Sequence, residues 1–250
     1  MDNDNVRKMI EAFEIIKGKG FIPSHRAGNT GIGKTLEDAM GIIENNIDAP
    51  DLHDFEIKSH RELAKSRVTL FTKRPTMPKN ANALLKDNYG TPDQRFPDIK
   101  VLHTSVFHTK FNSHKSGYGF KLECSDSQKK LFLVVKNLKS NKIVSKEVYW
   151  SYPVLQSIVN KKLRNFAFVS AQTKILNGIE EFSFNRLQLY TGITLKKLLD
   201  YIKRQDGLMF DIRIGAYKSG NNYGKPHDHG SGFRIKPEQI KKLYGTEYIV

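Results

Sequence analysis

The chain has 250 residues, 38% of them hydrophobic and 10% aromatic, with 41 Lys and Arg against 26 Asp and Glu and a formal net charge of +15. That length can bury a core as one large domain or two lobes. No apolar run approaches the roughly 18–20 residues of a membrane span, and the single cysteine excludes an intrachain disulfide framework and fits a reducing cytoplasm. The basic excess is spread along the chain (Lys129-Lys130, Lys161-Lys162, Lys196-Lys197, Lys241-Lys242) with aromatics between. It favours a polyanion, nucleic acid ahead of an anionic membrane surface, through phosphate neutralisation and counterion release. The first residues, Met1-Asp2-Asn3-Asp4-Asn5, lack a basic segment followed by an apolar one, so no signal peptide is expected and the location is read as cytoplasmic.

In chain order, Val6, Met9, Ile10, Phe13 and Ile16 recur at helical spacing and predict an amphipathic helix stopped by Gly18 and Gly20. A second helix follows, with Ile32, Leu36, Ala39, Met40 and Ile43 on one stripe. Residues 54–60 and 67–73 read as strands, and a proline-rich stretch then surrounds a short helix near 82–88. Strands recur near 101–107, 119–123 and 131–136, before a helix near 153–162. Strands near 165–170 and 180–190 precede a helix marked by Leu195, Leu198, Leu199 and Ile202. Residues 208–217 alternate, with Leu208, Phe210, Ile212 and Ile214 inward and Asp211 and Arg213 outward together. A glycine-rich segment, 220–232, leads to Phe233-Arg234-Ile235 and a short helix opened by Pro237. The class is α/β in the mixed α+β sense, with an interrupted sheet.

Gly28-Asn29-Thr30-Gly31-Ile32-Gly33-Lys34-Thr35 matches the phosphate-binding pattern GxxxxGK[ST], in which backbone N–H groups cradle phosphates and the lysine reaches their outer oxygens. That loop needs a buried strand in front of it. Residues 21–27 carry Pro23, His25 and Arg26 there instead. The glycines are read as a tight entry into a helix whose Glu37 lies at the margin of the apolar stripe. An ordinary first-turn glutamate is the plain alternative for Glu37, and a nucleotide-binding NTPase is the alternative for the loop.

Pro50-Asp51-Leu52-His53-Asp54-Phe55-Glu56-Ile57-Lys58 carries the most specific chemistry. On a strand Glu56 and Lys58 share a face while Phe55 and Ile57 point into the core. Carboxylates and a lysine converging at a strand end can hold a hard divalent cation beside an activated water, as phosphodiester hydrolysis requires. The spacing fits the PD…(D/E)xK pattern of many nucleases. A solvated charged face gives the same alternation. Asp54 falls on the same alternating face as Glu56 and Lys58, which makes it a rival to Asp51.

The third constellation joins Asp211 and Arg213 to Lys225-Pro226-His227-Asp228-His229-Gly230-Ser231-Gly232-Phe233-Arg234. Arginine can donate twice to guanine, carboxylates accept from cytosine, and histidines do either at base edges. A zinc site at His227 and His229 lacks matching further ligands. A solvated loop, or a basic DNA-binding module without catalysis, is the remaining alternative.

Residues 31–37, Pro50-Asp51, Glu56-Ile57-Lys58 and the His-Asp-His-Gly-Ser-Gly-Phe-Arg run at 227–234 together resemble the restriction endonucleases related to the mismatch-repair enzyme MutH, within them the MvaI/BcnI group. The resemblance implies a PD-(D/E)xK core, a mixed sheet flanked by helices, in two lobes forming a DNA-binding cleft. It implies a catalytic lobe near 1–150 and a recognition lobe near 151–250. It implies a Mg²⁺ site at Asp51, Glu56 and Ile57, with Lys58 orienting or polarising the attacking water and Glu37 completing the acidic cluster. Asp211, Arg213, Tyr217, Lys225, His227, Asp228, His229 and Arg234 would contact double-stranded DNA. The expected activity is type II cleavage at a CC-N-GG site, CC(A/T)GG ahead of CC(C/G)GG, by a monomer with no need of ATP.

Overall fold

A computed structural model describes residues 3–42 and 50–250. In chain order the elements begin α1 (Asn3–Lys17), β1 (Phe21–Pro23), α2 (Gly31–Ala39), β2 (Glu56–Arg61), β3 (Val68–Phe71), α3 (Ala81–Tyr89), β4 (Thr91–Pro92) and β5 (Lys100–Val106). There follow β6 (Tyr118–Ser125), β7 (Lys130–Asn137), β8 (Ile143–Ser151), α4 (Tyr152–Lys161), β9 (Asn165–Leu176) and β10 (Ile179–Thr191). Last come α5 (Leu195–Ile202), β11 (Met209–Ala216), β12 (Pro226–Asp228), β13 (Gly232–Ile235), α6 (Ile240–Leu243) and β14 (Thr246–Ile249). Among the described residues no helix is long and apolar enough to cross a membrane.

The chain forms two compact units that interleave: one draws on residues 1–68, 157–194 and 236–250, the other on 69–156 and 195–235. A single boundary near residue 150 is therefore replaced by several crossings. The physical reason is strand pairing. Residues 166–171 return to lie parallel to β2, and 246–249 return to pair with β10.

The first unit is built on a mixed sheet in the order β1-β10-β9-β2, with β14 also on β10. β2 runs parallel to β9, while β9, β1 and β14 all pair antiparallel with β10. Its long hairpin turns at Asn177 and Gly178, both at positive φ, the Asn-Gly pair that favours the twist-matched two-residue turn. One face of this sheet is closed by α1 and α2. Val6, Met9, Phe13 and Ile16 of α1, Ile32 and Leu36 of α2, and Phe55, Ile57, Ala167 and Val169 of the sheet share one core. Ala39 and Met40 pack against its margin, whereas Ile43 of the expected stripe lies outside the described residues.

The second unit holds a sheet in the order β3-β13-β11-β5-β4, with β12 also on β11, and a three-stranded meander β6-β7-β8. Its centre is aromatic. Trp150 meets Phe210 at 4.7 Å and Phe233 at 5.3 Å, and Phe233 stacks on Phe71 at 4.7 Å. The Trp150 indole N–H donates to the Lys73 carbonyl at 2.9 Å, so the buried polar edge is satisfied.

Candidate functional sites

The PD-(D/E)xK segment folds as a tight turn feeding an edge strand. His53 and Asp54 sit at positive φ, 47° and 66°, and Leu52 bonds Phe55 in both directions, at 3.1 and 2.8 Å. Two consecutive left-handed residues suit a short polar pair such as His-Asp better than branched side chains. The turn folds Asp51 back over β2, where its Oδ2 accepts the Ile57 N–H at 2.8 Å. β2 begins at Glu56, not at residue 54. Asp54 is thus in the turn, off the strand alternation expected for it, and its Oδ2 accepts from Asn5 at 2.9 Å. The geometry joins Asp51, and not Asp54, to Glu56 and Lys58.

Lys58 Nζ lies 2.5 Å from Glu56 Oε1, 3.0 Å from the Ile57 carbonyl oxygen and 3.9 Å from Asp51 Oδ2. Glu56 is 1% exposed. Burial pushes its carboxyl pKa above the usual range, Lys58 pulls it back, and Asp51 adds to the rise. Two carboxylates and a carbonyl make an all-oxygen set, the donor type a hard divalent cation takes. Glu37 lies in the last turn of α2. α2 packs its apolar side on the Phe55 and Ile57 face of β2, whereas Glu56 and Lys58 project to the other. Among the described residues no three His, Cys, Asp or Glu side chains gather to hold a metal.

The glycine-rich loop is not shaped as a phosphate cradle. β1 before it is three residues long and antiparallel to β10. Arg61 donates to the Gly28 and Asn29 carbonyls, both at 3.3 Å. Lys34 pairs with Asp38 one turn on at 2.7 Å, and the buried Thr35 hydroxyl accepts the His25 N–H at 3.0 Å. The Lys34 and Thr35 side chains that a nucleotide would need are engaged within the protein.

In the second unit β11 lies between β5 and β13, with Asp211 opposite Ser105 and Arg213 opposite His103. Asp211 shares the outward face of the strand with Arg213 but is only 8% exposed. Its Oδ1 accepts the Ser105 hydroxyl at 3.1 Å, and its Oδ2 lies 2.7 Å from Arg213 Nε and 3.1 Å from Arg234 Nε. Arg213 is therefore held by a hydrogen bond at Nε, whereas Arg234 Nε is ion-paired with Asp211 but has no hydrogen-bond partner among the described residues. Arg234 also donates to the Gly230 carbonyl at 3.2 Å.

Asp228 staples its own loop. Its Oδ1 accepts from the Gly230 and Ser231 N–H groups at 3.0 and 2.6 Å, and its Oδ2 from Asn82 at 3.0 Å. Tyr217 stacks on His227 at 4.6 Å, and His227 meets His229 at 4.4 Å. Gly215 makes room for this cluster, since a Cβ there would come within 2.8 Å of the His229 ring. Burial, then neighbouring His227 and His103, pushes the His229 pKa down, favouring the neutral ring that both donates and accepts. Lys225 is exposed and donates to Asn222 at 3.0 Å.

A cavity of about 480 Å³ opens over Asp211, Arg213, His229, Ser105 and His103. His103 and Ser105 were not singled out from the sequence. They reach the cavity only through the β5–β11 register, for which neither segment carries a motif.

The fold is of mixed α+β class, and the proteins it is similar to are site-specific DNA nucleases. The model of the MvaI/BcnI restriction endonuclease family matches residues 10–244, and the chain belongs to that family. Among solved structures it is similar to a restriction endonuclease MvaI–cognate DNA substrate complex, at 39% identity and a TM-score of 0.87 over 97% of both chains. It is also similar to restriction endonuclease MvaI in the absence of DNA, at 39% identity and a TM-score of 0.63 over 96% of this chain and 95% of that one. Comparison with curated proteins gave no match.

Proposed function

We propose that this endonuclease hydrolyses double-stranded DNA with Mg²⁺ at a CC-N-GG site, CC(A/T)GG ahead of CC(C/G)GG, as a cytoplasmic monomer. The observation that carries the reading is the convergence of Asp51, Glu56, the Ile57 carbonyl and Lys58 at the start of β2. Asp51, Glu56 and the Ile57 carbonyl would hold the cation, which when bound polarises the phosphate and acidifies a bound water. Lys58 is placed to steady the attacking water and the negative charge that builds on the phosphate oxygens as the P–O bond to the leaving sugar breaks. In the second unit Arg213 and Arg234, aligned by Asp211, would read guanine edges, with His227 and His229 beside them. Tyr217 and Lys225 would lie toward the backbone or minor groove. The cognate complex of MvaI supports duplex DNA as the substrate, as does the +15 charge.

The test is supercoiled plasmid carrying CC(A/T)GG and CC(C/G)GG sites, incubated with Mg²⁺ against an EDTA control. Cutting confined to CC(A/T)GG is expected. Intact plasmid refutes the metal-dependent reading, and cutting only at CC(C/G)GG reassigns the central pair.

A further inference from the structure

Glu56 presents its two oxygens to two different cations. Oε1 accepts from Lys58 at 2.5 Å. Oε2 has no hydrogen-bond donor among the described residues, but lies 3.7 Å from the ammonium of Lys162. Lys162 belongs to no motif. It stands just past the end of α4, with its N–H bonded to the Ile158 carbonyl at 2.8 Å. The chain then enters β9, where Phe166 pairs with Glu56 across the parallel ladder. The strand pairing therefore delivers Lys162 to the carboxylate. Tyr244 stacks on Phe166 at 5.8 Å, and its hydroxyl is buried without a hydrogen-bond partner among the described residues. The charge of Glu56 is among the causes that push the Tyr244 pKa up, after burial.

We propose that Lys162 is a positioning residue of the nuclease site, holding Oε2 so that Glu56 keeps Oε1 toward Asp51, the Ile57 carbonyl and Lys58. The inference rests on the reading of Glu56 as a metal ligand. A glutamate carboxylate turns easily about its last bond, and the single tether to Lys58 leaves that rotation open. Without Lys162 the buried Oε2 loses its counter-charge, and the carboxylate swings to share both oxygens with Lys58. Such a turn displaces the ligating oxygen by a distance of order 1 Å, enough to cost about a hundredfold in rate.

Full-length wild type, Lys162→Met and Lys162→Arg are compared on a cognate duplex. Lys162→Met should lower kcat at saturating Mg²⁺ by about ten- to a hundredfold while KM and the duplex Kd in EDTA stay within about twofold, and Lys162→Arg should recover most of the loss. In metal-free protein labelled with ¹³C-carboxyl glutamate, the Glu56 resonance, assigned through Glu56→Gln, should move in Lys162→Met and return in Lys162→Arg. Lys162 is 26% exposed, and an unchanged duplex Kd in EDTA shows that each variant is folded. An unchanged kcat, an unmoved resonance, or a loss confined to metal-free DNA affinity overturns the proposal; the last would make Lys162 a phosphate contact. Full activity in Glu56→Gln would instead remove the underlying reading of Glu56, an outcome independent of the Lys162 variants.

Discussion

Replacing Glu56 with glutamine keeps the shape of the side chain and removes its charge. In the metal-free protein that charge is buried, and burial outweighs the pull of Lys58 and Lys162 to leave the carboxyl pKa raised. The folded chain thus holds this proton more tightly than the unfolded one, so the group's contribution is full below its unfolded pKa and is lost as pH rises through the folded value. Above its folded pKa the ionised Glu56 is a net cost. A buried charged acceptor lacking a bond at Oε2 costs about 1–3 kcal/mol. The charge-assisted bond from Lys58 offsets part of it, being roughly twice as strong as the bond a neutral amide would accept. The net gain expected from Glu56→Gln is about 1 kcal/mol, or a rise of about 2–4 °C for a chain of this size. Calorimetry in EDTA at neutral pH measures it. At a pH below the ordinary carboxylate range the gain should vanish, because both variants are then neutral at this position. A Glu56→Gln protein that melts below wild type at neutral pH would show that the two lysines outweigh burial, and the reasoning would fail.

Asp51→Asn should abolish cleavage, while Asp54→Asn, which keeps a residue tolerant of the left-handed turn, should cleave at near wild-type rate; the opposite pattern in a single-turnover assay would exchange the two residues' roles. Arg234→Ala should lower the cognate-to-random binding ratio by the roughly 1–3 kcal/mol of a bidentate guanine contact. Lys225→Ala should weaken cognate and random binding together and reduce the salt slope by about one. Lys34→Ala removes an ion pair worth about 0.3–0.5 kcal/mol and should leave cleavage intact and indifferent to ATP; nucleotide binding lost in this variant would restore the phosphate-loop reading.

The motif at Pro50–Lys58 was legible because a strand's two-residue period fixes which side chains share a face, and Glu56 and Lys58 obey it. Asp54 was misplaced because two consecutive left-handed residues, His53 and Asp54, interrupt that period. Most helices followed from their apolar stripes, but β8 was missed, its alternation blurred by irregular register against β7. The recognition floor was half visible. Alternation found Asp211 and Arg213 on one face and could not show that the partners lying over Asp211 bury it. That burial changes its expected role. With Oδ1 accepting from Ser105 and Oδ2 bonded to Arg213 and ion-paired with Arg234, Asp211 is placed to align two arginines rather than to read a cytosine by itself. Asp211→Asn leaves two neighbouring guanidinium groups without their shared counter-charge, and it should relax every base pair that Arg213→Ala and Arg234→Ala relax, by about 1–3 kcal/mol at each. Binding to cognate duplexes altered one base pair at a time gives the three profiles. If Asp211→Asn relaxes a position that neither arginine variant touches, Asp211 reads a base directly and the alignment argument is wrong.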